Sequence, residues 1–504
     1  MSTNQPDPAA TIQSKTATRE PQPRPAKAPD GKRVDHARSA KQFLNAPEHA
    51  KSHDTRVWAM RTKRDKQAHT IEEWEELREL ASQIKTHTLT NLDSYLEEFE
   101  ANAKANGIHV HWARDGAEHN RIVHDIFGNH GVKSVIKSKS MLMEECGFRH
   151  YMDSVGIEII ETDLGERIQQ LDGEDPSHIV VPPVHKMRSD VARLFAEKLG
   201  SDPDNDDAHY LAGAQRDATR PLILDADAGM TGANFAVAET GGFVVCTNEG
   251  NGRLCTSVPP VHIAYIGIEK MIPSRKHLPV FLKLLSRSAI GSPITVYNHI
   301  MTGPKRNAEP DGPQEQHIIL IDNGRTEVLK PETREMLRCI RCGACLNSCP
   351  VYRKVGGHSY GSVYPGPIGA LLTPVFKGLA NYKDLPYASS LCGACYEACP
   401  VKINIHEQIF GWRQVLAEDG HLPWTKKTAL SAAGKVLASP KGYRAAIKTT
   451  NSALKHLPRW ALYNRMNAWG EGREMPTPPE HGTFHDWYKR NRLSGQTKTG
   501  SDSR

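Results

Sequence analysis

The sequence predicts an α/β domain built on a mostly parallel sheet, followed by a small cysteine-rich helical module and a helical C-terminal region. Between residues 51 and 325, short apolar runs of strand type alternate with amphipathic helical patterns, as in parallel sheets covered by helices. Seven of the ten cysteines lie between Cys339 and Cys399. From residue 406 to 504 the chain has a helical pattern with several tryptophans and a polar tail. We therefore predict domain boundaries near residues 50, 325 and 405.

The segment 1–50 is predicted to be a disordered extension, because its first 30 residues are rich in Pro, Ala, Thr and Lys. Those residues lack the apolar stretch of a secretory signal, so export is not predicted. A long helix is predicted over 71–106, where Trp74, Leu77 and Leu96 belong to a series of apolar residues near helical spacing.

Strands and helices are then predicted in alternation. Strands are expected over 134–136, 157–160 and 178–181, and helices over 141–154, 165–171 and 189–199. The next stretch combines glycines with four carboxylates, Asp225, Asp227, Glu239 and Glu249. Open α/β sheets bind ligands at strand ends, so these carboxylates are candidates for a ligand site, with turn and capping roles as the alternative.

Composition excludes several classes of protein. The 504 residues are 38% hydrophobic and 24% charged, and no apolar run approaches the ~18–20 residues of a membrane-spanning helix. The net charge of +6 is spread over the whole chain and does not indicate a nucleic-acid-binding face. Neither a G-x-G-x-x-G run after a strand nor a P-loop occurs, so a Rossmann-type flavin or nicotinamide site is not predicted.

The first cysteine motif is Cys339, Cys342, Cys345 and Cys349 followed by Pro350. This is the bacterial ferredoxin spacing, in which three cysteines hold one [4Fe–4S] cluster and the fourth ligates a second cluster. A structural zinc site is the alternative, but it needs four ligands in pairs and fits this order poorly.

The second motif is Cys392, Cys395 and Cys399 followed by Pro400, with Ser389 where a fourth cysteine would fall. Ligand exchange between the motifs predicts a helical ferredoxin-type module with two clusters. Cluster 1 is assigned to Cys339, Cys342, Cys345 and Cys399, and cluster 2 to Cys349, Cys392 and Cys395. Cluster 2 is either a [3Fe–4S] cluster or a [4Fe–4S] cluster whose fourth iron is bound by Ser389, another side chain, water or substrate.

The remaining cysteines and two histidines are assigned structural roles. Cys146, Cys246 and Cys255 are predicted to be buried thiols, with a redox pair of Cys246 and Cys255 as the alternative. His109 and His111 would lie on one face of a strand. A metal role for them is not favoured, because no third ligand is near in sequence.

The segments 229–241, 247–251, 259–264 and 267–270 resemble the lactate-utilisation (LUD) domain. Together with the cysteine module and the Trp-rich tail, they make residues 55–490 similar to the lactate utilisation protein B family. The resemblance implies a bacterial iron–sulfur protein that is needed for growth on L-lactate. It also implies a fold like those of CoA-transferases and sugar-phosphate isomerases, and a second cluster with three cysteines.

The resemblance further implies two partners, a CCG-type cysteine-rich protein and a second, smaller LUD protein, which together with this chain oxidise lactate to pyruvate. We therefore predict an electron-transfer subunit rather than the sole catalyst, located in the cytoplasm or peripherally at the inner face of the membrane. Its electrons would pass to a downstream acceptor. The alternatives are a subunit for another 2-hydroxy acid such as glycolate, a subunit of a disulfide-reducing complex, and a redox-sensing ligand-binding module.

Overall fold

The computed structural model describes residues 34–464, 467, 474–480 and 482–493. It divides into two compact units, residues 1–419 and 420–504. The first unit contains the α/β domain and the cysteine module. The first 33 residues of the predicted disordered extension lie outside the described residues.

Most of residues 34–50 lie in two helices, which a disordered extension over 1–50 does not anticipate. Helix α1 spans His36–Leu44 and helix α2 spans Pro47–Ala68. The Asp35 carboxylate caps α1 by accepting a hydrogen bond from the Arg38 backbone N–H. His36 packs edge-on against Tyr360 of the cysteine module, with ring centroids 4.9 Å apart. These tertiary contacts stabilise a segment whose composition resembles that of a tail.

The helix predicted over 71–106 is two helices, α3 (Trp74–Thr90) and α4 (Leu92–Ala105). They separate at Asn91, whose φ of −118° is not helical and whose side-chain amide donates to the His87 carbonyl at 2.9 Å. The helix predicted over 141–154 is also interrupted. Helices α6 (Met141–Glu145) and α7 (Phe148–Ser154) meet at Gly147, which has a φ of +61°.

Six parallel strands form the main sheet in the order β1-β10-β7-β4-β2-β3. This confirms the predicted mostly parallel α/β architecture. The strands are β1 (His109–Ala113), β2 (Ser134–Lys137), β3 (Glu158–Glu161), β4 (Ala228–Gly232), β7 (Val261–Gly267) and β10 (Glu315–Ile321). Helices α5 (Gly116–His130), α8 (Leu164–Asp172), α9 (Arg188–Leu199), α10 (Ala208–Leu224), α11 (Asn251–Ser257) and α12 (Leu278–Ile290) complete this domain.

A second, four-stranded sheet has the order β8-β5-β6-β9. Its strands are β5 (Phe235–Val237), β6 (Gly242–Thr247), β8 (Met271–Ile272) and β9 (Tyr297–Met301). The turn between β5 and β6 requires glycine at Gly241. The φ there is +63°, and an added Cβ would lie 2.1 Å from the Ala103 backbone nitrogen. The β5–β6 hairpin therefore packs directly against α4.

The cysteine module is helical, as predicted. It consists of α13 (Ala344–Ser348), α14 (Pro350–Val355), α15 (Gly366–Lys377) and α16 (Ala394–Ala398), and α17 (Ile405–Glu418) follows. Trp412 on α17 is fully buried, and α17 packs against α15 and α16. Helix α17 thus belongs to the first unit, although residues 406–504 were predicted to form one C-terminal domain.

The second unit contains helices α18 (Trp424–Ala438), α19 (Pro440–His456), α20 (Arg459–Leu462) and α21 (Phe484–Tyr488). Trp424 and Trp460 are each 77% exposed, whereas Trp469 lies outside the described residues. Over the described part of the chain, no helix is both long enough and apolar enough to cross a membrane.

Candidate iron–sulfur site

The two cysteine motifs have the same local backbone. In the first, Arg341 (φ +60°) and Gly343 (φ +74°) flank Cys342 and lead into α13. In the second, Leu391 (φ +56°) and Gly393 (φ +82°) occupy the equivalent positions before α16. A non-glycine residue in the left-handed region costs about 1 kcal/mol or more, so the surrounding structure must hold Arg341 and Leu391 in place.

The cysteines of both motifs converge, because α13 packs against α16. Five of the seven thiols are buried, Cys339 is half-buried and Cys392 is exposed. The buried thiols are Cys342, Cys345, Cys349, Cys395 and Cys399. Burial, and then repulsion between neighbouring thiolates, raises the pKa of Cys395 to about 12. A group of thiols this crowded and desolvated is stabilised as thiolates when a metal centre binds them.

Charge coupling among the thiols separates two groups. Ionised Cys399 and Cys339 both raise the pKa of Cys342, after the larger effect of burial. In the other group, ionised Cys392 raises the pKa of Cys349, and ionised Cys349 and Cys392 both raise the pKa of Cys395. The pKa of Cys345 is raised by ionised cysteines of the first group and also by ionised Cys395; those of the first group are Cys339, Cys342 and Cys399. Cys345 is thus coupled to thiols of both groups, and the exchange of ligands between the motifs stays a prediction.

The donor set fits iron–sulfur clusters better than a single zinc ion. Backbone N–H groups point at the sulfurs: Arg341 N–H donates to Cys339 Sγ at 3.4 Å and Ile403 N–H to Cys399 Sγ at 3.3 Å. All seven cysteines are described, and no three of their sulfurs lie within 4.8 Å of one another. A tetrahedral zinc site with Zn–S bonds of ~2.3 Å would place its sulfurs only about 3.8 Å apart.

The module is joined to the α/β domain through His178. The segment 178–181 is not a strand, so that prediction is wrong. The buried His178 ring organises a loop, because its Nδ1 accepts hydrogen bonds from the N–H groups of Val180 (2.9 Å) and Val181 (3.0 Å). Its Nε2 therefore carries the proton and donates to Asn347 Oδ1 on α13 at 3.0 Å. Burial lowers the pKa of His178 to about 3.

A buried ion network forms a second connection. Glu269 Oε2 accepts from Arg325 Nε at 2.5 Å, and Glu269 Oε1 from Arg341 Nη2 at 3.1 Å. Burial alone would raise the pKa of Glu269, but the two guanidinium groups hold it at about 2. Arg325 also pairs with Glu145 at 2.9 Å, and the Tyr364 hydroxyl donates to Glu145 at 2.8 Å. The network fixes Arg341 beside Cys342.

The N-terminal helices hold the loop of the last cysteine. Arg78 on α3 donates from Nε to the Cys399 carbonyl at 3.0 Å and from Nη2 to the Tyr396 carbonyl at 3.2 Å. Arg64 on α2 donates to the Ala398 carbonyl at 2.9 Å. Because both arginines are largely buried, they position the second motif from outside the module.

A cavity of about 550 Å³ lies between the α/β domain and the module. Among the seven cysteines, Cys342 lines it. Its wall includes charged and polar side chains from well-separated segments, Lys139, Asn251, Tyr265, Lys270, Ser286 and Arg341. The cavity therefore abuts the first thiol group, yet it is distinct from the space between the thiols.

Comparison with known proteins gives the family. The LUD domain matches residues 96–321, and the 4Fe-4S dicluster domain matches residues 335–403. A Bacillus cereus (strain AH820) protein named Lactate utilization protein B is 43% identical over 439 residues, covering 86% of this chain and 92% of that protein. The chain belongs to the lactate utilization protein B family. A namesake from Bacillus thuringiensis (strain Al Hakam) matches with the same identity and coverage.

Membership of the lactate utilization protein B family supports a role in lactate utilisation, and the dicluster domain with its buried cysteines supports iron–sulfur clusters. Among solved structures, a DUF162 family protein from Deinococcus radiodurans matches with a TM-score of 0.26 and 14% identity. That match covers 46% of this chain and 98% of the other.

The structure does not bring the four candidate carboxylates together in one site. Asp227 accepts from the N–H groups of Lys133 and Ser134, and Glu239 from that of Arg275, which are turn and capping roles. Asp225 follows the last residue of α10. Glu249 alone among the four lines the cavity.

The other cysteines behave as desolvated thiols. Burial raises the pKa of both Cys246 and Cys255 to about 12, and it also raises that of Cys146. Neither Cys246 nor Cys255 forms a disulfide. Cys255 Sγ instead lies 3.6 Å from Thr162 Oγ1.

In the folded chain, His109 and His111 lie beside residues that are distant from them in sequence. His317 on β10 pairs in register with His109, and its ring lies 5.0 Å from that of His109. His111 Nε2 lies 3.1 Å from His317 Nδ1. Glu315 and His130 complete this cluster at the amino-terminal edge of the sheet. No local spacing could have revealed it, because its members come from three separate elements.

Proposed function

We propose that this chain is an iron–sulfur electron-transfer subunit of a complex that oxidises L-lactate to pyruvate. The observation that carries the proposal is the convergence of seven cysteines, five of them buried, from two motifs within a 4Fe-4S dicluster domain. The lactate utilization names of its relatives support the choice of lactate.

We assign the ligands as the sequence predicts. Cys339, Cys342, Cys345 and Cys399 would hold one [4Fe–4S] cluster, and Cys349, Cys392 and Cys395 would hold the second. Bound clusters of this type supply one-electron transfer. The second has a position open to a further ligand or is a [3Fe–4S] cluster. Ser389 remains the candidate for that position, and its Oγ accepts a hydrogen bond from Leu391 N–H at 3.1 Å.

The protein residues around the two groups create different environments. The first group is buried except for partial exposure of Cys339, and it lies against the Arg341–Glu269 network. The second includes Cys392, which is exposed to solvent. Because solvent exposure and hydrogen bonding tune cluster potentials, the two sites should differ in potential. The exposed Cys392 also suits contact with a partner, for which we propose the CCG-type protein or the second LUD protein.

Iron and acid-labile sulfide, measured per chain on anaerobically purified protein, test the ligand assignment together with EPR. Cys399→Ser and Cys392→Ser form a matched pair within one motif. We expect Cys399→Ser to remove the signal of the first cluster and Cys392→Ser that of the second. Loss of the same signal in both variants would refute the ligand exchange.

Growth of a deletion strain tests the substrate. We expect the wild-type chain to restore growth on L-lactate and the Cys342→Ala variant to fail, while growth on glycolate is unaffected by the deletion. Normal growth of the Cys342→Ala strain on L-lactate would contradict the electron-transfer role. Loss of growth on glycolate alone would instead assign the chain to another 2-hydroxy acid.

A further inference from the structure

The cavity beside Cys342 contains an unusual concentration of polar atoms without partners. Five residues that line it each have a buried side-chain polar atom with no hydrogen-bond partner among the described residues: Thr247 Oγ1, Asn251 Oδ1, Tyr265 Oη, Ser286 Oγ and Arg341 Nη1. Such groups are rare in folded proteins, because each orphaned polar group costs about 1–3 kcal/mol. Five such residues around one cavity indicate that a polar occupant, reached by small side-chain rotations, normally satisfies them.

The chemistry of these atoms points to an acceptor-rich occupant. Of the five, three are hydroxyls that can donate, Arg341 Nη1 is a donor only, and Asn251 Oδ1 is an acceptor. Lys270 and Lys139 add positive charge to the wall. Burial lowers the pKa of Lys270 to about 8, so its ammonium form predominates at neutral pH. Three acids also line the cavity: the arginines engage Glu269, Asp163 caps α8, and Glu249 is exposed and accepts a hydrogen bond from the Asn248 N–H.

The wall also includes apolar side chains, among them Leu142, Ile168, Val180 and Leu285. A volume of about 550 Å³ lies within the 300–1,000 Å³ typical of small-molecule sites and exceeds the space that a three-carbon acid needs. The cavity can therefore contain an organic body of cofactor size as well as a charged group.

We propose that this cavity binds an organic anion, whose carboxylate or phosphate is recognised by Lys270 and Arg341 and whose other acceptors meet the hydroxyls of Thr247, Tyr265 and Ser286. Two sources share this chemistry: a 2-hydroxy or 2-oxo carboxylate and a phosphorylated redox cofactor such as a flavin mononucleotide. The first source rests on the proposed function, whereas anion binding itself does not.

Isothermal titration calorimetry of the purified holoprotein, with pyruvate, L-lactate and FMN as separate probes, tests the proposal. We expect at least one probe to bind with a stoichiometry near one. Lys270→Met should lower the affinity for that probe roughly tenfold or more, as for a lost charge-assisted contact. Lys276→Met, an exposed lysine in the same domain, is the matched control and should leave the affinity unchanged.

Ser286→Ala separates recognition from folding. Because it removes an orphaned hydroxyl, it should leave the melting temperature of the ligand-free protein equal or higher while weakening the probe several-fold. Binding by a protein whose clusters are redox-inactive would refute the proposed function but not this site. Absence of binding by all three probes, or equal affinity in Lys270→Met and wild type, would overturn the site itself.

A second observation carries an independent inference at the amino-terminal edge of the sheet. The ligand atoms of His130, Glu315 and His317 lie within 4.8 Å of one another. His317 Nε2 is buried without a geometrically satisfactory hydrogen bond, although Glu315 Oε1 is 3.1 Å away. His111 Nε2 at 3.1 Å from His317 Nδ1 can accept its proton, which leaves Nε2 free to bind a metal.

Helix α5 ends at His130, so its carbonyl dipole favours a cation there. We infer that His130, Glu315 and His317 bind a divalent transition metal such as Zn²⁺, for which two histidines and one glutamate are a known ligand set. This site lies outside the cysteine module and does not depend on the proposed function.

Titration of the EDTA-dialysed holoprotein with Zn²⁺, with iron content as an internal check, tests this site. Wild type should bind one Zn²⁺ without losing iron, and His317→Ala should abolish that binding. His111→Gln should weaken it roughly 10–100-fold, as for the loss of an outer hydrogen-bond partner. His150→Ala, at an exposed position, is the control. Unchanged Zn²⁺ affinity in His317→Ala would refute the site.

Discussion

Replacing His178 by glutamine should change how the stability of the protein depends on pH. In the folded chain, burial lowers the pKa of His178 to about 3 from an ordinary value of 6.5. Lys139 and His53 act in the same direction, whereas the hydrogen bond to Asn347 opposes them. As pH falls below 6.5 the unfolded chain takes up a proton at this position and the folded chain does not. Acidification therefore favours unfolding until pH reaches about 3.

The magnitude follows from the two pKa values. Between neutral pH and about pH 5 the unfolded state gains most of one proton over roughly 1.5 pH units, at about 1.4 kcal/mol per unit. His178 should thus remove about 2 kcal/mol of unfolding free energy over this range. In His178→Gln this contribution disappears, although the variant is less stable at neutral pH because it loses buried hydrogen bonds worth roughly 1–3 kcal/mol.

Urea unfolding followed by circular dichroism, at about pH 7 and about pH 5, measures the difference. The gap between wild type and His178→Gln should shrink by about 2 kcal/mol on acidification. Other buried histidines, such as His119 and His262, titrate in both proteins and cancel in this comparison. His69→Gln, at an exposed position, should show no change in the gap. A gap that is the same at both pH values would refute the reasoning.

Three further changes test the contacts around the cysteine module. Glu269→Gln removes the carboxylate partner of Arg341 and one of the two carboxylates that pair with Arg325, and it should lower the unfolding free energy by about 3 kcal/mol near neutral pH, given a pKa of about 2 against 4.5. An unchanged urea midpoint would contradict this. Gly343→Ala forces a Cβ into the left-handed region 3.3 Å from His178 and should reduce iron per chain. Gly128→Ala, where the Cβ meets nothing within 4 Å, should keep its iron and gain about 0.5–1 kcal/mol. Arg78→Met removes donors to two carbonyls around the last cysteine and should speed iron loss to a chelator, and equal rates would exclude that role.

The parallel architecture was predictable because strands β2 and β3, each followed by a helix, leave a local pattern. The second sheet was not, since β8 has only two residues and β5 three, too few to show a period. Residues 178–181 have the apolar composition of a strand, but the ring of His178 takes the backbone N–H groups that a sheet would use. Such competition between a side chain and a sheet leaves no trace in hydrophobic spacing.

The cysteines were predictable because their ligand spacing is local and specific. The cavity was not, because Tyr265, Lys270, Ser286 and Arg341 come from different elements and none of them is a cysteine of the two motifs. The same holds for the histidine cluster: His109 and His111 are visible as a pair, but Glu315 is two hundred residues away along the chain. Only the pairing of β1 with β10 brings them together.

The hydrogen bonds from α2 and α3 to the loop of the last cysteine affect the order in which the chain folds. Arg64 and Arg78 reach carbonyls 334 and 321 residues further along the sequence, at Ala398 and Cys399. Helices α2 and α3 are synthesised early, but these contacts can form only after most of the first unit has been synthesised. Contacts between residues so distant in sequence form slowly. These contacts around the second motif can therefore form only after the chain has been synthesised as far as Cys399. The cysteine module expressed as an isolated fragment would lack the arginines that hold its second loop.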